Sequence, residues 1–492
     1  MPLLGLSRFR LGSSKGDMTA RQNTRILAVS IAGALLWTTG CVHYQDKPLN
    51  AEVAAEVLDQ RSLGDVNLRD FLQRNTPLAE ATAWPLQSWE FETLSWVAFY
   101  YHPSLELARA QWAALVAGET TASARPNPAL SLTPGYNANA VGSSPWFPAI
   151  GIDLPVETAG KRQRRIEQAR HSAESARQMV FSAAWQVRSD LRRTLVTWTH
   201  ARQRAAILKV QASADKRIVD LVEDRRAAGA ASAMDAATVR LAWTRSEVEA
   251  AEAQRQTALL LSGVAQALGI PVSGLDHLNV TDALARPAAR SDGELAAARS
   301  LALRSRPDIL AALADYEAAQ STLRLEIARQ YPDLHLGPGY QWDQAASKWS
   351  LALTAELPLF NRNAGPIAAA EARRRESAAR FTVLQAQIAG AIDQAVVALA
   401  AAEARAISIQ RVAESLNQQL GIQQARLQAG DIDQLDYQIA RRELSAAELS
   451  ALDARAAAAL AAAELEAALQ VPFARLTSLA ETIHSPALPS SL

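Results

Sequence analysis

Leu130-Ser131-Leu132-Thr133-Pro134-Gly135-Tyr136 returns 204 positions later as Leu334-His335-Leu336-Gly337-Pro338-Gly339-Tyr340. Other landmarks follow nearly the same shift. Pro103 maps to Pro307 and Pro128 to Pro332, and Leu154-Pro155 maps to Leu357-Pro358. Arg225-x-x-x-Gly229 maps to Arg426-x-x-x-Gly430, and Leu268-Gly269-Ile270-Pro271 maps to Leu469-Gln470-Val471-Pro472. A repeat this long is two copies of one structural unit, not a short solenoid repeat.

Each copy carries two stretches that alternate every second residue. Ala129 to Asn137 puts Leu130, Leu132, Pro134 and Tyr136 on one face and Ala129, Ser131, Thr133 and Gly135 on the other. The second stretch, 148–155, puts Ile150, Ile152 and Leu154 opposite Ala149, Gly151 and Asp153. In the second copy, 333–342 aligns Leu334, Leu336, Tyr340 and Trp342. The fourth stretch, 348–357, aligns Trp349, Leu351 and Leu353 against small and polar residues. One apolar face and one small or polar face fit the wall of a transmembrane barrel. Tyr136, Trp146, Phe147, Tyr340, Trp342 and Trp349 stand where an interfacial aromatic girdle would fall. The bland alternative is a soluble hairpin packed on a core. Asp153 and Glu356 fall on the side away from the apolar residues, just before Leu-Pro, with no role assigned.

Between the strand pairs the sequence is rich in Ala, Glu, Gln, Arg and Leu, which favour helix. Glu157 to Ala228 reads as one helix of roughly 108 Å, and Ala233 to Leu268 as a return of roughly 54 Å. Leu86 to Ala124 reads as a helix of roughly 58 Å, so the two short helices end to end match the long one. Pro366 to Ala429, Glu294 to Gln330 and Gln434 to Leu469 repeat the arrangement. Ala391, Ala395, Ala398 and Ala402 share one helix face. Gly229 and Gly430 mark turns, since glycine ends helices at little cost. Ser232-x-x-Asp235 and Asp433-x-x-Asp436 resemble helix-start capping pairs. After the N-terminal region no stretch reads as a membrane-spanning helix, so a membrane would have to be crossed by closed strands.

Charge is balanced, with 50 basic and 50 acidic residues, and no basic face points to nucleic acid. No nucleophile motif, zinc-binding helix motif or phosphate loop occurs, so no enzyme and no cofactor is expected. The seven histidines are dispersed and one cysteine cannot build a thiolate site, so no resident metal site is expected. That cysteine, Cys41, follows Arg21 and Arg25, an apolar run from Ile26 to Trp37, and Thr38-Thr39-Gly40. This describes a secretory signal over 1–40, with Met18 as an alternative start. Cys41 after Gly40 resembles a bacterial lipoprotein signal, which implies acylation of Cys41; Thr38 departs from the usual aliphatic residue. Val42 in place of aspartate implies sorting to the outer membrane. The expected organisation is a linker over 41–85, repeat 1 over 86–293, repeat 2 over 294–475 and a tail over 476–492.

Two copies, each a helix, a strand pair and a very long helical hairpin, resemble the TolC family of outer-membrane efflux ducts. Pro155-Val156-Glu157-Thr158-Ala159-Gly160-Lys161-Arg162 and Pro358-Leu359-Phe360-Asn361-Arg362-Asn363-Ala364-Gly365 resemble the strand-to-helix junctions of its heavy-metal branch, which handles cobalt, zinc and cadmium or copper and silver. The resemblance implies a mainly α fold with a small β part: a homotrimer with a 12-stranded transmembrane barrel and a periplasmic helical barrel. It implies a passive exit duct working with a periplasmic adaptor (a membrane fusion protein) and an inner-membrane pump of the resistance-nodulation-division type. Drug efflux, type I protein secretion and a lipid-anchored periplasmic scaffold are the alternatives. The adaptor-docking tip would comprise Arg225, Gly229, Ser232, Asp235, Arg426, Gly430, Asp433 and Asp436. Asp431, Asp433 and Asp436, tripled by symmetry, would ring the entrance with negative charge; the alternative is that Asp433 caps a helix. Lys161, Arg162, Arg164, Arg165, Arg373, Arg374 and Arg375 are expected on solvated helix faces.

Overall fold

The computed structural model describes residues 42–76, 83–138, 144–276, 278–281, 283–284, 291–343 and 346–472. The signal segment, Cys41 and the tail from 476 lie outside the described residues. The chain divides into two units, residues 1–57 and 58–492. In order, the elements are α1 (Ala51–Asp59), α2 (Val66–Asn75), α3 (Phe91–Tyr101), α4 (Pro103–Ser123), β1 (Ala129–Thr133), β2 (Ala149–Val156), α5 (Lys161–Ala227) and α6 (Ala233–Leu268). The second copy follows as α7 (Asp292–Ser305), α8 (Pro307–Ala328), β3 (Leu334–Asp343), β4 (Ala346–Ala355), α9 (Ala364–Ala429) and α10 (Gln434–Leu469).

The long helices form as the sequence indicates, with small changes at their ends. α5 has 67 residues and α9 has 66, each roughly 100 Å long. α5 starts at Lys161 rather than Glu157 because Ala159 and Gly160 both take positive φ. The two helices before the strands are each broken in two, contrary to expectation. Pro103 and Pro307 start new helices, and the residue before a proline is pushed out of the helical region. The segment 41–85 is likewise not a bare linker. It carries α1 and α2, and Leu63, Leu68 and Leu72 join the main apolar core with Trp89, Leu94, Leu191 and Leu268. Arg61 Nη1 donates to the carbonyls of Tyr101 (2.9 Å) and Gly269 (3.0 Å), satisfying two helix C-termini at once.

The strands form one antiparallel sheet in the order β1-β2-β3-β4. β1 ends at Thr133 instead of continuing to Asn137, because Pro134 has no N–H to donate. Among the described residues the hairpin resumes at the bridge Tyr136–Trp146. Pro338 interrupts the β2–β3 pairing in the same way, between Gly151–Gly339 and Leu154–Leu336.

The helices make a single open layer. α5 packs on α4 and α6 on one side and on α8 and α10 on the other, and α9 packs beyond α8 and α10. The layer therefore has four columns, with α4 and α6 end to end in one and α8 and α10 in another. Ile388, Ile392, Ala395 and Leu399 are the buried stripe of α9. The alanine face lies beside this stripe: Ala391, Ala395 and Ala398 line an open groove with Ala467 and Ala468. α9 is also long and apolar enough to cross a bilayer by length and composition, which corrects the expectation that no later stretch is.

Ion pairs stitch the two copies together along the α5–α10 contact. Arg188 pairs with Glu466 at 2.8 Å, Arg193 with Glu464 at 3.0 Å, and His200 and Arg204 with Asp453 at 2.7 and 3.2 Å. Asp215 lies 3.5 Å from Arg442, and Arg225 pairs with Asp433 at the turn. Only the first pair is fully buried on both sides. There Arg188 also pairs with Glu92 at 2.7 Å and stacks on Phe91. Burial weakens the Arg188 charge, but hydrogen bonding and attraction from Glu92 and Glu466 outweigh it and hold the guanidinium above its ordinary range. Arg192 is lowered, chiefly by burial and further by repulsion from Arg188, against attraction from Glu466 and Glu92.

Removing one member of a buried pair leaves an uncompensated charge. Arg188→Met should cost about 3 kcal/mol in denaturant unfolding of the detergent-solubilised protein. Adding Glu466→Leu should restore most of it. A single variant as stable as the parent would contradict this reading of the pair.

Candidate functional site: the sheet face, its junctions and the helical turns

The four strands share one apolar face. Their register aligns Leu130 with Ile152, Leu132 with Ile150, Ile150 with Tyr340, Leu336 with Leu353, and Tyr340 with Trp349. In the isolated chain this face is uncovered: Trp349, Leu351 and Leu353 are 82, 74 and 66 % exposed. Leu130, Leu132, Tyr136, Ile150, Ile152 and Leu334 are exposed as well. Soluble monomers rarely leave so large an apolar surface uncovered. Tyr136 stacks edge-on against Trp146 and Tyr340 tilts against Trp349, with ring centroids 5.0 and 4.9 Å apart.

The opposite face is built of small and polar residues. Ser131, Gly151, Gly339 and Ser350 stand in line across the strands, with Gly337 beside Ala352. A Cβ on Gly151 would sit 2.8 Å from Ser131 Oγ, and one on Gly339 2.8 Å from Ser350 Oγ. His335 and Asp153 lie on this face, with His335 Nδ1 2.9 Å from the Asp153 carboxylate.

The strand-to-helix junctions are locks, not solvated helix starts. Thr158 N–H donates to Asp333 (2.9 Å), and Thr158 Oγ1 donates to the Pro332 carbonyl (2.6 Å). Lys161 is buried; its Nζ reaches the Tyr331 carbonyl at 2.7 Å and Asp333 at 2.8 Å. Arg162 and Arg165 donate to the carbonyls of Ser123 and Ala124 at the end of α4, and Arg165 also pairs with Glu157. Arg164 pairs with Glu167 on its own helix. In the second copy Asn363, at φ 60°, binds the Glu326 carbonyl and carboxylate. Lys161, Arg162 and Arg165 were thus misread: they hold α4 and the β3 entry onto α5, whereas Arg373 and Arg375 are exposed as expected. Alternating hydropathy carries no trace of that, because the partners lie on other elements.

At the opposite end the two helical turns match atom for atom. Ala230 N–H reaches the Arg225 carbonyl at 2.8 Å and Gly229 N–H that of Arg226 at 3.0 Å. Asp431 N–H reaches the Arg426 carbonyl at 2.9 Å and Gly430 N–H that of Leu427 at 3.1 Å. Both are Schellman turns closed by a left-handed glycine, at φ 74° and 82°. A Cβ would meet nothing within 4 Å at either glycine, so conformation alone selects glycine there. Ser232 and Asp235 form a reciprocal capping box. Asp433 caps α10 one way, accepting from Leu435 and Asp436 N–H at 2.8 and 3.0 Å.

Arg225 closes an ion pair with Asp433 across the two turns. Beneath it Ile218, Val222 and Ala236 pack with Leu435. The Asp436 N–H, with Arg225 and the Leu435 N–H, holds the Asp433 carboxyl below the ordinary carboxylate range against the opposing effect of burial. Asp433 is thereby occupied as a cap and a pair, and Asp431 and Asp436 are exposed. Arg426 lies in the last turn of α9. Among the described residues no group of three or more His, Cys, Asp or Glu side chains could hold a metal ion.

An amphipathic sheet on one end of four columns of hairpin helix, built twice from one unit, defines an outer-membrane duct subunit. The outer membrane efflux protein family model matches residues 99–270 and 298–470, and the chain belongs to that family. It is a transport protein, not an enzyme. The chain is 27% identical over 222 residues to the cobalt-zinc-cadmium resistance protein CzcC of Cupriavidus metallidurans, a match covering 44% of this chain and half of that relative. It is 25% identical over 348 residues to outer membrane protein OprJ of Pseudomonas aeruginosa, covering 63% and 70%. The fold matches the crystal structure of the outer membrane protein VceC of Vibrio cholerae with a TM-score of 0.62 at 21% identity, covering 78% of this chain and 96% of that one.

Two outcomes follow from the turn geometry. Gly430→Ala should cost about 1–2 kcal/mol locally, because an L residue is strained in the left-handed region. Amide exchange at 426–436 should then speed up about tenfold, with Gly430→Asn intermediate. Unchanged exchange would contradict a conformational role. The Asp433 carboxyl is depressed in the folded state, so its stabilisation is complete above the unfolded value of about 3.9. It fades as pH falls through the lower folded value. The stability difference between parent and Asp433→Asn should therefore hold from neutral pH down to about 4 and vanish below. A difference that disappears between pH 5 and 7 would refute this.

Proposed function

We propose that three copies of this chain close into a passive outer-membrane exit duct of a tripartite export system. The exposed apolar face shared by all four strands carries this reading. Four strands cannot close a barrel by themselves, since single-chain barrels begin near eight. Three copies give twelve strands, β4 of one pairing with β1 of the next, with the apolar face toward lipid. The helical layer supports the same closure. Its outer columns leave Leu241, Val248 and Leu259 of α6 and Val383, Val397, Val412 and Ile422 of α9 exposed, and a neighbouring copy would cover both. This assigns the apolar window of α9 to a subunit contact rather than to a bilayer.

The turns at Gly229 and Gly430, with Arg225, Ser232, Asp235, Arg426, Asp433 and Asp436, dock the hairpins of a periplasmic adaptor engaged with an inner-membrane pump. Asp431 and Asp436 supply the negative charge at the entrance, and Asp433 contributes less because Arg225 neutralises it. Acylation at Cys41 anchors the N-terminus in the outer membrane. Metal cations are the cargo we favour, from the likeness to CzcC and the junction motifs.

Deletion of the gene should sensitise the source bacterium to cobalt, zinc or cadmium. A plasmid copy should restore resistance and place the chain in the outer-membrane fraction. Localisation there with unchanged metal sensitivity would remove the cargo assignment; a chain washed free of the membrane would remove the duct.

A further inference from the structure

We propose that His335 and Asp153 form a transient binding station for divalent transition-metal cations on the inner wall of the duct, at the foot of the strands. The inference rests on the duct reading and adds a site to it. His335 and Asp153 stand on the small, polar face of the sheet, opposite the apolar face. They line one cavity of about 820 Å³ with Thr354 and Glu356, at the level where strands give way to helices.

The charges around this cavity are unevenly spent. Lys161 is committed to Asp333 and the Tyr331 carbonyl, and Arg329 pairs with Glu326. Glu356 has no ion-pair partner among the described residues. The imidazole of His335 meets Asp153 through Nδ1, at 2.9 Å from one carboxylate oxygen and 3.1 Å from the other. When Nδ1–H donates to that carboxylate, the lone pair is fixed on Nε2. A carboxylate holding an imidazole in this tautomer is the arrangement that supports metal-ligating histidines. Both side chains are about half exposed, so a passing ion can reach them.

The free imidazole nitrogen, Nε2, selects the ion, with Asp153 orienting the ring rather than binding metal. An imidazole nitrogen suits zinc, cobalt, nickel and related ions. Magnesium prefers oxygen alone and keeps most of its water. One imidazole per subunit is too little for a resident site, and no grouping of three ligands occurs among the described residues. Weak residence is what conduction requires, since an ion must enter and also leave. The plainer reading is a cross-strand pair that only satisfies its own hydrogen bond, and the two readings differ in what they do to a metal.

The test uses the full-length protein in planar bilayers with potassium chloride carrying the current. Zinc chloride should reduce the current at concentrations where magnesium chloride does not. His335→Gln should keep the potassium chloride conductance and raise the half-blocking zinc concentration about tenfold or more, with Asp153→Asn acting in the same direction. Equal block by zinc and magnesium in the parent overturns the station and leaves the duct intact. Zinc block unchanged in a conducting His335→Gln protein also overturns it. A parent protein that carries no current at all overturns the duct, and the station with it.

Discussion

A sheet of four strands has two free edges, and that single fact governs the rest of this molecule. Among the described residues, β1 and β4 each have one edge that pairs with no other strand of the chain. In water such an edge invites aggregation, and in lipid each unsatisfied group costs several kcal/mol. The apolar face makes water the wrong surroundings, and the edges make an isolated subunit wrong for lipid. In the proposed trimer one closure resolves both. It also sets the helical layer, because the columns must repeat in step with the strands above them.

Within the subunit, the two copies are joined by different means at different heights. At the junctions below the strands, buried Lys161 and the Thr158–Asp333 contacts fix β3 to the start of α5. At mid-length the seam is buried, with Arg188 and Glu466 paired beside the main apolar core. Toward the turns the pairs become exposed, ending at Arg225–Asp433 over a small cluster around Val222. Exposed pairs contribute little, about 0–1 kcal/mol each, whereas a buried pair is costly to break. The α5–α10 seam is thus firm at mid-length, where α10 ends, and easily parted at the turns, where a duct entrance would need to move.

Much of this could be read along the chain because it depends on local rules. Period-two alternation marked all four strands, and the richness in Ala, Glu, Gln, Arg and Leu between them marked the long helical hairpins. The left-handed glycines at 229 and 430 gave both turns. What escaped reading depended on partners far away in sequence. His335 meets Asp153 from another repeat, and Arg162 caps α4 from the start of α5. Leu68 and Leu72 looked like part of a linker because the core they enter is assembled from 89–105, 187–198 and 260–283. The breaks at Pro103 and Pro307 were legible but were passed over, since the surrounding residues favour helix on both sides.

The closed wall is tested most directly by native mass spectrometry of the full-length chain released from a mild detergent. Three copies in one particle, falling to single chains only on denaturation, is the result this account requires. A particle of one chain, with β1 and β4 still unpaired, would contradict it.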